Sequence, residues 1–393
     1  MVQKRFGNTP PSTPGALTIR DIARIAGVAP STVSAVINGR LQQARISAAT
    51  AQRVREAIER LGYHPDHVAR SLRRGTTGLI GLAVSRLQDP FYPEFSIHFG
   101  EACRARGYAM FLTDLPDWES PAADEGLGKS LVDGVVLVDT RRSPWHPGRK
   151  VNDPAACPLP TVLVAGQEWL TAWKTPLSPH VLVLQTELAG RLAARHLWER
   201  GFRRFAYVSQ TSPVELTPGH REYGFYDELR RLGAGDDAIR WAPLVGADVD
   251  ERANNYLTSY LSAVALLQSG WCLGPERVGI YAVNDLAAMQ VLRAVNEAGL
   301  AVPDRVGVIG TNGIQLGEAT SPPLTSISLN VAAVAERAVA RVVELVARRR
   351  NGERRPGAGA SPGQDDRDRH DQEGQVIASE VELRPSLLLR QST

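Results

Sequence analysis

The chain has 393 residues, 43% hydrophobic and 22% charged, an ordinary composition for a folded protein of roughly two to three domains. No apolar run approaches the length of about 18 residues that a membrane helix needs, and residues 1–17 lack the apolar core of a secretory signal. The net charge of +3 hides an asymmetry: residues 1–75 carry twelve Lys and Arg against four Asp and Glu, a net +8, which leaves −5 for the remainder. A small basic head on an acidic body points to a polyanion-binding module joined to a second function. Three scattered cysteines (Cys103, Cys157, Cys272) exclude a disulfide framework and a cysteine zinc site, and place the protein in a reducing, cytoplasmic compartment.

Residues 1–17 are polar and Pro-rich and read as a disordered arm. Residues 18–63 predict three short helices. Thr18 and Asp21 have capping-box spacing at the start of the first, with Ile22, Ile25 and Ala26 on one face. Gly27-Val28-Ala29 is a tight turn, and Pro30 suits the first position of a second helix, 30–38. There Val33, Val36 and Ile37 face inward, which leaves Ser31, Thr32 and Ala35 on a small, exposed face. Ser47 caps a third helix with Ala51, Val54, Ile58 and Leu61 as its apolar stripe, and Gly62 ends it. A three-helix bundle without function is the plain alternative. The turn at Gly27, the basic charge and the small-residue face together favour a helix-turn-helix that enters a major groove.

From residue 79 the pattern changes. Short β-branched runs (79–85, 108–113, 134–138, 161–165, 181–184, 205–209, 278–283, 306–310) alternate with amphipathic helical segments (92–106, 187–200, 221–232, 250–268, 285–298, 331–349). Such alternation predicts parallel sheets covered on both faces, and about 310 residues call for two subdomains. Residues 348–375 are rich in Gly, Pro, Arg and Asp and read as a disordered insert, with 381–389 a returning strand.

At this point the residues resemble a known family. Thr18-Ile-Arg-Asp-Ile-Ala-Arg-Ile-Ala-Gly-Val-Ala-Pro-Ser-Thr-Val-Ser-Ala-Val-Ile-Asn38 is closely similar to the head of the lactose/galactose repressor (LacI/GalR) family, as is Leu61-Gly-Tyr-His-Pro-Asp-His-Val-Ala-Arg-Ser-Leu72. The similarity continues, in order, through Gly81-Leu-Ala-Val, Asp89-Pro-Phe-Tyr92, Arg221-Glu-Tyr-Gly-Phe225, Asn284-Asp285, Ser321-Pro-Pro-Leu-Thr325 and Leu389-Arg-Gln-Ser-Thr393.

The resemblance implies an α/β fold: an N-terminal three-helix helix-turn-helix head and a periplasmic-binding-protein-like body of two doubly wound parallel-sheet lobes. The divisions are 1–17 arm, 18–63 DNA-binding domain, 64–78 hinge and 79–393 effector-binding and dimerisation body. Within the body, 79–184 and 317–347 form one lobe, and 185–316 and 376–393 the other. The implied function is a DNA-binding transcriptional regulator, in the first instance a repressor, gated by a small molecule. Its implied partners are a pseudopalindromic double-stranded operator, a sugar-like or related polar effector and a second copy of the chain, with no membrane.

The implied DNA-binding residues are Thr18, Pro30, Ser31, Thr32, Ser34, Ala35, Asn38 and Ser47 in the head, with Leu72 and Arg73 in the hinge. Leu72 matches the leucine that wedges into the minor groove of the family's operators. Phe91, Tyr92, Arg221 and Asp285 match positions lining the effector cleft: aromatics to stack, Arg to fork onto oxygens, Asp to accept from hydroxyls. The sequence departs from the pattern in places. Ala35 stands where many members carry Arg, and Ala29 where a Ser cap is usual. Ala165-Gly166, Gln185-Thr186 and Thr311-Asn312 replace the usual cleft residues.

Enzyme motifs fail on context. Gly359-Ala-Ser361-Pro-Gly363 matches a nucleophile elbow but lies in the insert, without a strand before it or a helix after it. Gly128-Lys129-Ser130 lacks the first glycine of a phosphate loop, since Ala123 occupies that place. His64 and His67 have no partners at metal-ligand spacing. The expectation is no catalytic residue, no metal and no cofactor. A solute-binding protein of the same body fold would require an export signal and no DNA-binding head.

Overall fold

The computed structural model describes residues 18–37, 39, 41–63, 76–85, 87–114, 131–138, 142–143, 146–150, 157–167, 180–209, 216–243, 245, 255–352 and 383–393. The chain divides into two compact units, Met1–Thr77 and Gly78–Thr393. The arm, Asn38, the hinge residues Leu72 and Arg73, the insert beyond residue 352 and the expected helix start at 250–254 lie outside the described residues.

The head contains α1 (Ile19–Ala26), α2 (Pro30–Ile37) and α3 (Ala48–Leu61). At the start of α1 the Asp21 carboxylate accepts from the Thr18 N–H (3.0 Å) and the Thr18 hydroxyl (2.7 Å). These bonds, with Arg24 beside them, hold the Asp21 carboxyl below its ordinary range. Gly27 ends α1 in the left-handed region at φ 63°, where a side chain would be strained. Only Gly27, Val28 and Ala29 separate α1 from α2. Ile22, Ala23, Ala26, Val33, Val36, Ala51, Val54 and Ala57 form the core. Ile25, expected to face inward, is 39% exposed, and Ala23 takes its place.

The body holds two sheets. In the first, β1 (Leu79–Val84), β2 (Ala109–Asp114), β3 (Gly134–Val138), β6 (Thr161–Gly166) and β7 (Val181–Leu184) lie in the order β2-β1-β3-β6-β7, all parallel. β3 and β6 are buried throughout, as uninterrupted apolar runs in a doubly covered sheet must be. A hairpin of β4 (Arg142–Ser143) and β5 (His146–Lys150) stands apart from it. Helix α4 (Phe91–Ala105) follows β1.

The second sheet has the order β13-β12-β11-β10-β8-β9. Its strands are β8 (Arg204–Val208), β9 (Ile239–Trp241), β10 (Val278–Ala282), β11 (Val306–Asn312), β12 (Thr325–Ser328) and β13 (Ser386–Leu388). Only β13 is antiparallel, pairing with β12. Its helices are α5 (Thr186–Glu199), α6 (Arg221–Arg231), α7 (Asn255–Gln268) and α8 (Asp285–Glu297).

Three boundaries differ from expectation. Residues 317–328 were assigned to the first lobe, but β12 pairs with β11 in the second. Thr325 and Ser326 are polar yet buried, because Ser392 and Asp285 supply their hydrogen-bond partners from distant positions. The chain therefore returns to the first lobe only with α9 (Val331–Arg350). That helix presents Val334, Val339, Val342 and Val346 at helical spacing, and a Cβ on Gly134 of β3 would meet Val342 at 2.8 Å. Arg348–Arg350, expected in the insert, form the last turn of α9, where positive charge suits the helix dipole. The returning strand is shorter than 381–389.

Candidate nucleic-acid interface and ligand cleft

On the head, the face of α2 opposite the core is less exposed than patterning predicts. Pro30 and Ser31 are exposed, and Thr32, Ser34 and Ala35 are half-buried. Val33 and Val36 anchor the opposite face in the core. Ala29 substitutes its backbone for a cap, since its carbonyl accepts from Thr32 N–H at 2.9 Å. Ser47 is exposed and accepts from the Thr50 N–H at 3.2 Å, capping α3. Arg20, Arg24, Arg45, Arg53, Arg55 and Arg60 are all exposed.

In open parallel sheets a ligand crevice lies at the carboxyl ends of the strands, where strand order reverses. The first sheet reverses between β1 and β3, and the second between β8 and β10. The four expected cleft residues fall at these two points. Phe91 and Tyr92 open α4 just after β1. Arg221 opens α6 after β8, and Asp285 opens α8 after β10.

Their side chains are disposed less simply than expected. Phe91 and Tyr92 are buried. Their rings meet edge to face at 5.2 Å, and Phe91 continues onto Phe95 at 6.2 Å. The Tyr92 hydroxyl accepts from Ser85 at 3.0 Å. These rings therefore pack in the core of the first lobe rather than presenting a free stacking face.

Asp285 departs furthest. It is 1% exposed. One oxygen accepts from the Ser326 hydroxyl at 2.5 Å and the other from the Ile314 N–H at 2.8 Å. Burial dominates over these bonds and pushes its carboxyl up to about 7. A Cβ on Gly310 would stand 2.2 Å from its Oδ1, so glycine is what admits the carboxylate. The expected open acceptor is, in this structure, an inward-facing group satisfied by its own chain. The cap of α8 is Asn284, which accepts from Ala287 N–H at 2.8 Å.

Arg221 is half-buried, and its guanidinium donates to the Val283 carbonyl, just beyond β10. It thus spans the reversal point itself, since Val283 N–H bonds Val208 at the end of β8 (3.0 Å). Behind it lies an aromatic layer that pattern reading missed. Tyr207, Trp241 and Tyr281 occupy facing positions on β8, β9 and β10, with ring centroids 5.0 and 5.4 Å apart. The Tyr207 hydroxyl donates to Glu222 (3.4 Å), and burial followed by the Glu222 charge raises its pKa. Burial pushes Tyr281 up to about 12. The available signal was position, because each lies at or next to the carboxyl end of its strand.

The two lobes also touch beside the cleft. Gln315 N–H, in the 3-10 turn Gln315–Ala319, donates to Glu94 of α4 at 3.3 Å. Among the described residues no three His, Cys, Asp or Glu side chains are grouped to hold a metal ion. No described helix is long and apolar enough to cross a membrane.

A helix-turn-helix head joined to a two-lobed, parallel-sheet body defines a transcriptional regulator with a binding-protein-like sensor. Residues 18–66 match the family described as bacterial regulatory proteins, lacI family, and residues 194–362 match a periplasmic binding protein-like domain. The ribose operon repressor of Escherichia coli is 30% identical over 315 residues, spanning 79% of this chain and 87% of the relative. The HTH-type transcriptional repressor PurR of Mannheimia succiniciproducens is 29% identical over 334 residues, spanning 84% and 92%. The chain belongs to the lacI family of bacterial regulatory proteins.

Solved structures agree on the fold. The lac repressor dimer bound to operator and the anti-inducer ONPF superposes with a TM-score of 0.66 at 21% identity, over 96% of this chain and 99% of that one. A complex of the transcriptional regulator CelR with cellobiose gives 0.52 at 23% identity, over 96% and 100%.

Proposed function

We propose that this chain is a homodimeric repressor that binds a pseudopalindromic operator and releases it when a small polar metabolite enters the interlobe cleft. The observation that carries the reading is the small-residue face of α2, exposed at Pro30 and Ser31 and half-buried at Thr32, Ser34 and Ala35, in a head of strong positive charge, on a chain whose body places Arg221 at a strand-order reversal. Ser31, Thr32, Ser34, Ala35 and Asn38 are the readout residues, and Thr18, Pro30 and Ser47 set the head against the backbone. Leu72 and Arg73 act at the hinge. Ala35 offers thymine a methyl contact where an Arg would fork onto guanine, so the half-site differs from those read through Arg.

Dimerisation is supported by two exposed apolar side chains, one on each lobe beside the Glu94–Gln315 contact. Ile97, one turn beyond Glu94 on α4, is 61% exposed, and Leu316, next to Gln315, is 52% exposed. The names of the relatives, among them a ribose operon repressor and a CelR–cellobiose complex, support a sugar-like effector. Arg221 is its principal contact, and Asp285 contributes only if it gives up its present bonds. A regulator of transcription works in the cytoplasm, in keeping with the cysteine usage.

Selection from random duplex DNA followed by footprinting tests the reading. Two inverted half-sites are expected, protected by one dimer. A single asymmetric site protected by a monomer overturns it. A thermal-shift screen of sugars and nucleosides, with operator release as the second readout, tests the effector, because binding raises apparent stability by mass action.

A further inference from the structure

Arg221 is held by more than its own helix. We propose that the start of α5, through Thr186, Glu187 and Gly190, is a positioning element that sets where Arg221 stands in the cleft. The proposal rests on the reading of Arg221 as a cleft residue, but its contacts are independent of any ligand.

Two bonds converge on the backbone of one residue, Gly219, just ahead of α6. The Thr186 hydroxyl donates to the Gly219 carbonyl at 2.9 Å, and the Glu187 carboxylate accepts from the Gly219 N–H at 2.7 Å. Gly219 has φ 98°, a left-handed conformation that its lack of a side chain permits. Both backbone polar groups of Gly219 are thus held, two residues before Arg221.

The grip continues into the helices. A Cβ on Gly190 of α5 would lie 1.8 Å from the carbonyl oxygen of Arg221 itself, and 2.8 Å from Phe225 N. A Cβ on Gly224 of α6 would lie 2.0 Å from the carbonyl oxygen of Glu187. The two backbones therefore approach as closely as two helices can, at the turn that carries Arg221, and only glycine at both positions permits it. Farther along, the interface is fastened by side chains instead: Arg191 to Asp227 (2.5 Å) and Arg195 to Glu228 (3.0 Å).

This placement differs from general packing in what it connects. β7 ends at Leu184 and α5 begins at Thr186, so one residue separates the last strand of the first sheet from the turn that grips Gly219. A shift of that crossover moves the peptide ahead of Arg221 directly. Arg191 extends the grip, since it also donates to Glu187 at 2.6 Å, whereas Arg195, two turns farther along, pairs with Glu228 at the far part of the interface.

The test uses the full-length chain and the rate at which phenylglyoxal modifies Arg221, mapped by mass spectrometry well below every variant's melting temperature. Thr186→Val and Glu187→Leu are expected to raise that rate severalfold, as the guanidinium leaves the Val283 carbonyl. Glu187→Gln is expected to restore the slow rate, since an amide oxygen still accepts from Gly219. Arg195→Ala, in the same helix pair, is expected to lower the melting temperature while leaving Arg221 slow. Gly190→Ala is expected to act like Thr186→Val, and where it fails to fold the polar variants carry the test. Unchanged Arg221 reactivity in both Thr186→Val and Glu187→Leu overturns the proposal, and so does an equal rise in Arg195→Ala. Protection of wild-type Arg221 by D-ribose or cellobiose reports on the cleft reading separately, so the two can fail independently.

Discussion

The head leaves its candidate residues at the surface, while the body turns its own inward. Ser31 and Ser47 are exposed and Ser34 is half-buried, on a scaffold fixed from behind by Ile22, Val33 and Val54. Asp285 and Tyr92 already hold hydrogen bonds within the chain, and Arg221 donates to Val283. The difference concerns what each site must give up in order to bind. A duplex meets the head largely by displacing counterions from its exposed arginines. A ligand hydroxyl that engages Asp285 competes with Ser326 and the Ile314 N–H, each bond contributing about 0.5–1.5 kcal/mol, or about 1.5–3 kcal/mol when the carboxyl is ionised. The head is arranged for contact, and the body for a choice between two sets of partners.

The largest expected effect separates the two units outright. Removing residues 1–77 is expected to abolish operator binding and leave the body folded, measured by fluorescence anisotropy and circular dichroism. Loss of the body's cooperative melting on that deletion would show that the two compact units depend on one another. Next in size is the salt response of the intact chain. If the head neutralises about 6–10 phosphates, affinity should fall roughly 10³–10⁵-fold between 50 and 200 mM salt. A flat response would remove the electrostatic half of the comparison.

The body has its own signature, in pH. The Asp285 carboxyl titrates near 7 when folded and near its ordinary value of 3.8 when unfolded. The folded state therefore holds the extra proton between these values. Stability from this group is complete below about pH 4, declines as pH rises towards 7 and is flat above. The decline is on the order of a few kcal/mol. Asp285→Asn is expected to remove it, read as the difference between wild-type and variant urea midpoints across that range. Parallel profiles would mean an ordinary, accessible carboxylate, and would restore Asp285 as an open acceptor for a ligand.

What could be read in advance follows the range of the interactions. Gly27, Pro30, Ser47 and Gly62 act on residues within four positions, so the head's helices and turn were legible. β1 and β3 were legible because a parallel strand covered on both faces is an apolar run. β12 was not, since Thr325-Ser326-Ile327-Ser328 is polar and is buried by partners 41 to 68 residues away. The same limit applies to the cleft. The helix-start positions of Arg221 and Asp285 were evident, but the Ser326 and Ile314 groups that close around Asp285 belong to other elements. Motif position survives transfer between relatives, whereas side-chain partnership depends on the whole packed lobe.

The smallest effect tests the head's half of the comparison at Ser47, which has a structural partner as well as a proposed phosphate contact. Its hydroxyl oxygen accepts from Thr50 N–H (3.2 Å), and its hydroxyl donates to Thr50 Oγ1 (3.0 Å). Ser47→Ala is therefore expected to destabilise the head by about 1 kcal/mol, the usual cost of a lost N-cap. Ser47→Asp keeps an acceptor for the same N–H and adds a negative charge where the helix dipole favours one, so head stability should recover. If Ser47 faces only Thr50, operator affinity will recover with it. If it also faces a phosphate, the carboxylate repels the duplex, and affinity will fall below that of Ser47→Ala although the head is more stable. Opposite movement of melting temperature and operator affinity in Ser47→Asp would mark Ser47 as a contact residue. Movement in the same direction would confine it to the cap and narrow the interface to the face of α2.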